Sequence, residues 1–272
     1  MYRIKGLGTK RIAKEIKSII KRKTRFDITG YRDDFLIRRV RARMLALGIN
    51  DFNKYIQYLM YNRGEIYNLI NELSINVSEF FRDQWIWEKV KNIIKEIIDR
   101  KSIIRIWSAG CSKGEEPYSI AILIKELGST IGKKVIIYAT DIDDQALIDA
   151  QKGIYNYSSL KNIPVHLLSK YFEKIDSNKY KIKDSLKHMV KFRKHDLIRD
   201  PPLLFMDIIF CRNVLIYFTK ELQEIIIEKF YRSLISRGYL VLGISEYLPE
   251  SSRRLFEIYD SHSRIFRKKK ND

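Results

Sequence analysis

Over the first quarter of the chain, apolar residues recur every three or four positions. Residues 9–23 carry Ile12, Ile16, Ile19 and Ile20 at helical spacing. Residues 31–47 set Val40, Met44 and Leu47 on one face, and Gly48 follows as a stop. Asp51 stands at the N-cap of a third helix bearing Phe52, Tyr55, Ile56 and Leu59, and a fourth runs from Gly64 to about Leu73. Three or four short helices with short loops predict a small all-helical bundle over residues 1–75.

From Ile103 the period changes. Short apolar runs at 103–107, 135–139, 207–211 and 239–243 alternate with helical patterns at 115–127, 143–153 and 221–235, the last closed by Gly238, and 264–267 reads as a final strand. Strands alternating with helices predict a mostly parallel, doubly wound α/β sheet for residues 76–272. Between Gly153 and His195 the alternation breaks. Residues 164–172 read as helix, and 179–183 and 189–193 as strands flanking Asp184-Ser185. This predicts a small inserted β hairpin at about 172–193.

Charge sharpens the division. The 272 residues carry a net charge of +19. Residues 1–75 hold 17 Lys/Arg against 7 Asp/Glu, about half of the excess. Arg38, Arg39, Arg41 and Arg43 are the densest part, and such a field suits an acidic partner or a nucleic acid. With 45% hydrophobic residues the chain can build a core, so a disordered polycation is excluded. No run approaches the ~18 apolar residues of a membrane span, and no secretory signal is visible. Cys111 and Cys211 stand apart in apolar segments and the four histidines are scattered. Neither a disulfide scaffold nor a metal site is expected, and a reducing cytoplasm fits.

A parallel sheet binds ligands beyond the carboxyl ends of its strands. Three features fall there. Gly110 and Gly114 frame a small loop before a helix, Asp141 ends the second strand where an acid suits ribose hydroxyls, and Asn213 follows the strand at 207–211. The loop is neither G-x-G-x-x-G nor a P-loop. Glu115 and Glu116 open its helix and would repel a pyrophosphate but attract an ammonium or sulfonium. The set therefore points to S-adenosylmethionine rather than a dinucleotide.

Four segments carry a resemblance. They are Asn76-Val77-Ser78-Glu79-Phe80-Phe81-Arg82, Cys111-Ser112-Lys113-Gly114-Glu115-Glu116-Pro117-Tyr118-Ser119, Ala139-Thr140-Asp141-Ile142-Asp143 and Cys211-Arg212-Asn213-Val214-Leu215-Ile216-Tyr217-Phe218. In this order they resemble the CheR family of chemotaxis receptor glutamate O-methyltransferases, over nearly the whole chain. The resemblance implies a Rossmann-like methyltransferase domain behind a basic helical one. It also implies methyl transfer from S-adenosylmethionine to glutamates on the cytoplasmic helical bundle of methyl-accepting chemotaxis proteins, with S-adenosylhomocysteine as by-product. By similarity, Asn76, Ser78 and Arg82 line the cofactor, with Gly110 in the glycine loop. Glu116, more than Glu115, meets the methionine amino end, Asp141 holds the ribose, Asp196 and Leu197 flank the adenine, and Asn213 and Val214 close the pocket. Arg82 and Tyr217 stand beside the reacting methyl, and Arg38, Arg39, Arg41 and Arg43 steer to the receptor.

Three departures matter. Asp196 replaces the family's frequent Asn. Lys113 replaces its Thr, which predicts that the lysine points to solvent. The turn Ile175-Asp176-Ser177-Asn178 lacks the glycines with which some members bind a receptor C-terminal pentapeptide, so no use of that tether is expected. The implied enzyme is a cytoplasmic monomer with no nucleic-acid partner and no membrane insertion. An RNA methyltransferase and a non-catalytic cofactor-binding receptor adaptor are the alternatives.

Overall fold

The computed structural model describes residues 6–24, 26–73, 78–128 and 132–270. Two compact units emerge: Met1–Ile75 with Tyr217–Gln223, and Asn76–Ile216 with Glu224–Asp272. Among the described residues no helix is long and apolar enough to cross a membrane.

The first unit contains α1 (Gly6–Lys23), α2 (Asp33–Ala46), α3 (Phe52–Tyr61) and α4 (Arg63–Leu73). Most of the helical stripes read from the sequence form its core: Ile16, Ile19, Ile20, Val40, Met44, Tyr55, Ile56 and Leu59 are buried together with Leu36, Ile66 and Leu69, while Ile12, Leu47 and Phe52 pack against it partly buried. Caps set the boundaries. The Asp51 carboxylate accepts the Lys54 N–H at the start of α3, and Gly48 follows α2 with φ +68°. Two charged side chains are drawn inside. Lys17 Nζ donates to the carbonyls of Thr29 and Tyr31 and to Asp33 Oδ1 at 2.6 Å, tying the α1–α2 loop. Glu65 is 2% exposed and accepts the Arg43 fork at 3.0 and 2.7 Å and the Tyr55 hydroxyl at 2.9 Å. Arg43 and Tyr55 hold its carboxyl below the ordinary carboxylate range against the opposing effect of burial. The segment 217–223 packs with these helices. The Tyr217 ring lies 4.6 Å from that of Phe35, and the Thr219 N–H donates to the Gly30 carbonyl at 2.8 Å.

The second unit begins with α5 (Ile86–Arg100). Its main sheet holds β1 (Ile103–Ala109), β2 (Lys134–Asp141), β6 (Val190–Lys194), β7 (Met206–Cys211), β8 (Leu234–Leu242), β9 (Phe256–Asp260) and β10 (Ile265–Lys268), in the order β6-β2-β1-β7-β8-β10-β9. The first five pair in parallel, and β10 runs antiparallel to both β8 and β9. α6 (Glu115–Glu126), α7 (Asp144–Lys152) and α11 (Lys220–Ser233) are the main crossovers, with the first turn of α11 in the helical unit. Alternation along β1 decides its two faces: Ser108 meets α6, and Trp107 meets Phe230 of α11 edge-to-face at 5.3 Å. This is the Rossmann-like architecture anticipated from the alternating pattern.

Between α7 and β6 lie β3 (Ile154–Asn156), α8 (Tyr157–Leu160), α9 (Val165–Tyr171), β4 (Phe172–Lys174), β5 (Lys179–Ile182) and α10 (Asp184–Lys187). A separate small sheet forms in the order β3-β5-β4. The expected pairing of 179–183 with 189–193 is therefore corrected. The second run is β6, an edge of the main sheet, and β5 turns back on β4 instead. Both runs carry the same half-buried alternation, so their pattern did not show which sheet each would join.

Three other differences have local causes. Gly238 does not close α11, which ends at Ser233. There the Lys268 ammonium caps the Tyr231 and Leu234 carbonyls at 2.7 and 2.8 Å, and β8 starts at once. Helix α5 was not read, although Trp87, Val90, Ile93, Ile94, Ile97 and Ile98 form its buried stripe. Strand β9 was missed because it is a short, largely exposed edge.

Glu65→Ala should lower the stability of the helical unit by about 2–3 kcal/mol, because the Arg43 fork and the Tyr55 hydroxyl lose their acceptor. Urea unfolding followed by helix circular dichroism measures this, and Glu65→Gln should recover part of the loss.

Candidate active site

β1 pairs with β2 on one side and with β7 on the other, so strand order reverses between β1 and β7. Open α/β sheets bind ligands at such a point. The loop after β1 is shaped for close approach. Gly110 has φ +81°, and a Cβ there would sit 2.5 Å from Val214 Cγ2. Its N–H and that of Cys111 donate to the Thr140 carbonyl, which pins the loop to the end of β2. Gly114, with φ +92°, caps α6, and Lys113 is exposed as expected.

Acidic side chains gather at these strand ends. Asp141 accepts the Ser112 N–H at 2.7 Å and the Asp143 N–H at 3.0 Å. Glu116 accepts the Ser108 hydroxyl at 2.7 Å and lies 3.6 Å from the Arg212 guanidinium. Glu115 is buried beside the Ser78 hydroxyl, and its Oε2 has no partner. Glu246 is buried as well. Burial pushes all four carboxyls up, Glu115 to about 7. Desolvation, with these acids near them, also drives the Cys111 and Cys211 thiols well up, so both cysteines are inert neutral packing.

Arg82 sits on the chain between Phe81 and Asp83, which have φ +49° and +55°. Neither neighbouring acid takes it: Glu79 pairs with Lys161 and Asp83 with Arg212. Among the described residues no hydrogen bond or ion pair engages its guanidinium. Asn213 is left-handed at φ +61°, and its buried Oδ1 has no partner. Ser78, Arg82, Gly110, Glu116, Asp141, Asp196, Leu197, Asn213 and Val214 all lie in the sheet unit. Tyr217 lies in the helical one, and Asn76 falls outside the described residues.

Residues 76–265 match the CheR methyltransferase SAM binding domain, and residues 13–74 match the CheR methyltransferase all-alpha domain. The chain belongs to the CheR methyltransferase family. It is 37% identical over 220 residues to the chemotaxis protein methyltransferase of Borreliella burgdorferi, covering 76% of this chain and 78% of that one. Identity to chemotaxis protein methyltransferase 2 of Vibrio cholerae is 35%, covering 86% and 82%. Identity to the chemotaxis protein methyltransferase of Escherichia coli is 31%, covering 89% and 86%.

The CheR cofactor is S-adenosylmethionine, and the residues present fit it. Acids raised by burial are stabilised by a cation, and the Glu115 and Asn213 oxygens left without protein partners are acceptors facing no competing donor. The bare backbone at Gly110 leaves room that a side chain would fill.

Two devices escaped the sequence reading. The Glu246 carboxylate accepts four backbone N–H groups, from Asn213 (2.9 Å), Val214 (2.9 Å), Leu215 (2.7 Å) and Gly243 (2.6 Å), and so holds the turn after β7. Lys229 is its opposite: its ammonium donates to the carbonyls of Leu197, Ile198 and Asp200 at 3.1, 2.6 and 3.0 Å. In the turn it holds, Asp196 Oδ1 accepts the Ile198 and Arg199 N–H groups, so this oxygen is committed locally rather than to a ligand. An acid three residues after Gly243, in a strand-end loop, was the signal available for Glu246. Nothing local marked Lys229.

Two outcomes are expected. Glu115 takes up a proton on folding, because its carboxyl rises from 4.5 to about 7. Its contribution to stability is therefore complete below 4.5 and lost as pH climbs through about 7. The thermal midpoint of Glu115→Gln should match the wild type near pH 4.5 and exceed it increasingly up to pH 8 in cofactor-free protein. A constant offset would refute this titration. Glu246→Gln sets an NH2 against backbone donors and should weaken S-adenosylhomocysteine binding about tenfold in calorimetry.

Proposed function

We propose that this protein transfers the methyl group of S-adenosylmethionine to glutamate side chains on the cytoplasmic helical bundle of methyl-accepting chemotaxis proteins. The products are γ-glutamyl methyl esters and S-adenosylhomocysteine. The supporting observation is the juxtaposition at the β1/β7 switch point. A cluster of buried acids suited to a cationic cofactor stands there, in a chain whose family contributes Arg82, a guanidinium that no hydrogen bond or ion pair engages among the described residues and that faces the charge of Glu116. The curated relatives named as chemotaxis protein methyltransferases support the choice of partner.

The chemistry makes modest demands. An acceptor glutamate with a pKa of ~4.3 is already anionic at pH 7, so no general base is required. When bound, S-adenosylmethionine supplies a methyl group on a sulfonium, an activated donor. The protein's work is to align acceptor oxygen and methyl at about 3–3.5 Å and to exclude water. Glu116 takes the cofactor's amino end and Asp141 its ribose. Asp196 and Leu197, in the turn fixed by Lys229, flank the adenine, while Ser78, Asn76, Gly110, Asn213 and Val214 line the remainder. Arg82 lines the cofactor beside its methyl group and orients the acceptor carboxylate, whose two oxygens match its fork. The Tyr217 ring packs against Phe35 in the helical unit.

In this reading residues 1–75 dock the receptor and residues 76–272 carry out the transfer. The four α2 arginines divide into two kinds. Arg43 is held by Glu65 and Arg39 by Glu72 at 3.4 Å, whereas Arg38 and Arg41 are exposed. The exposed pair is offered to the acidic receptor helices, and the other two set the helix that presents it. The β4–β5 turn supports independence from the pentapeptide tether. It has no glycine, and the Asp176 carboxylate, pulled down by the Asn178 and Lys179 N–H groups, closes it on itself. The protein works as a cytoplasmic monomer.

Incubation with methyl-labelled cofactor and a receptor cytoplasmic fragment tests the proposal. Base-labile label in the fragment, removed by Glu→Gln changes at acceptor sites, is the expected result. Label in RNA, or none, would sink it. Arg38→Ala with Arg41→Ala should raise KM for the fragment about tenfold at low salt, with little change in kcat, and the gap should narrow as salt is added.

A further inference from the structure

Arg212 is charged, directly follows β7 and is buried, yet none of the roles above uses it. Its two terminal nitrogens reach different partners. Nη2 donates to the Arg82 carbonyl at 3.1 Å and to Asp83 Oδ2 at 2.6 Å, while Nη1 lies 3.6 Å from Glu116 Oε2. The guanidinium also sits 5.9 Å from the centre of the Trp87 ring, whose indole N–H gives the Arg82 carbonyl a second donor at 3.0 Å. The turn held in this way is strained. Both neighbours of Arg82 are left-handed, at a cost of about 1–2 kcal/mol each for residues other than glycine. A turn of that kind persists only where contacts over-determine it. Here the Phe81 N–H is fixed on Ser119 Oγ at 3.0 Å, the Phe81 ring packs edge-on to Trp87 at 5.2 Å, and Arg212 takes both the carbonyl of Arg82 and the carboxylate of Asp83.

We infer that Arg212 is a positioning residue that fixes the strained turn carrying Arg82 and balances the charge of Glu116 at the cofactor's amino end. The inference rests on the reading of Arg82 and Glu116 given above. Arg212 is the cation that joins two of the motifs, the turn at 81–83 and the acid at the start of α6. A lysine at 212 would keep the charge but lose the fork whose two nitrogens reach the turn and Glu116 separately. Glu116 is faced by Arg212, Arg82 and Glu246. Losing the first leaves its charge less compensated in a dry site.

The test uses the full chain and S-adenosylhomocysteine binding by calorimetry, with thermal midpoints as the control for folding. Arg212→Lys should weaken binding about tenfold with the midpoint little changed, and in an Arg82→Ala background the same change should cost only the share, about threefold, that acts through Glu116. The acid limb of the binding profile should also move to higher pH, since Glu116 protonates more readily without its partner. Asp83→Asn removes the charge of the carboxylate that Arg212 holds at a half-buried position and serves if Arg212→Lys fails to fold. It should give a smaller loss that disappears without Arg82. Equal losses in both backgrounds, or no loss, overturn the inference while leaving Arg82 in place. Wild-type binding by Arg82→Ala would instead overturn the underlying reading of Arg82.

Discussion

Keeping carboxylates out of water is the constraint on which the site depends. Glu115, Glu116, Asp141 and Glu246 converge where strand order reverses, and desolvation raises each of them. Desolvation makes this arrangement unfavourable by itself, and each acid has a different remedy. Asp141 and Glu246 take backbone N–H groups, Glu116 takes a serine and a nearby arginine, and Glu115 keeps an oxygen with no partner. A bound cation relieves what remains. The site is thus selective for positive charge before any specific contact is counted.

The loops that bear the site are not held by apolar packing alone. Each is gripped by one buried or half-buried charged side chain from elsewhere in the sheet unit. Glu246 collects N–H groups of the turn after β7, Lys229 collects carbonyls of the turn after β6, and Arg212 holds the turn at 81–83. Loops must leave the regular ladder in order to present backbone to a ligand, and their unpaired groups then need partners. A single charged group with several donors or acceptors meets that need compactly, and it tolerates the left-handed residues Phe81, Asp83 and Asn213. Among the described residues the helical unit uses the same device twice, with Lys17 collecting the Thr29 and Tyr31 carbonyls and Glu65 receiving Arg43 and Tyr55, and the second separates structural arginines from exposed ones on a single helix.

Much of this was legible along the chain. Period and caps located α2, α3, α6 and α7, because helix starts and stops are set by residues adjacent in sequence, such as Asp51, Gly114 and Gly153. The glycine loop, the acids opening α6 and Asp141 were visible because the carboxyl ends of parallel strands are also sequence boundaries. Strand pairing was not visible. β5 and β6 have similar patterns, and only the competition between a free edge at β2 and a short β4 assigns them to different sheets.

The linear order of residues settled the helical bundle, the alternating sheet and the chemical character of the pocket, since each follows from local periodicity and residue type. The partners of the charged side chains were decided in three dimensions. Arg43 and Arg38 look alike on the chain, and so do Glu246 and Glu250. One of each pair is drawn inward and committed, Arg43 half-buried on buried Glu65 and Glu246 itself buried, because an element distant in sequence brings its complement within reach, and burial turns a weak surface attraction into one that determines geometry.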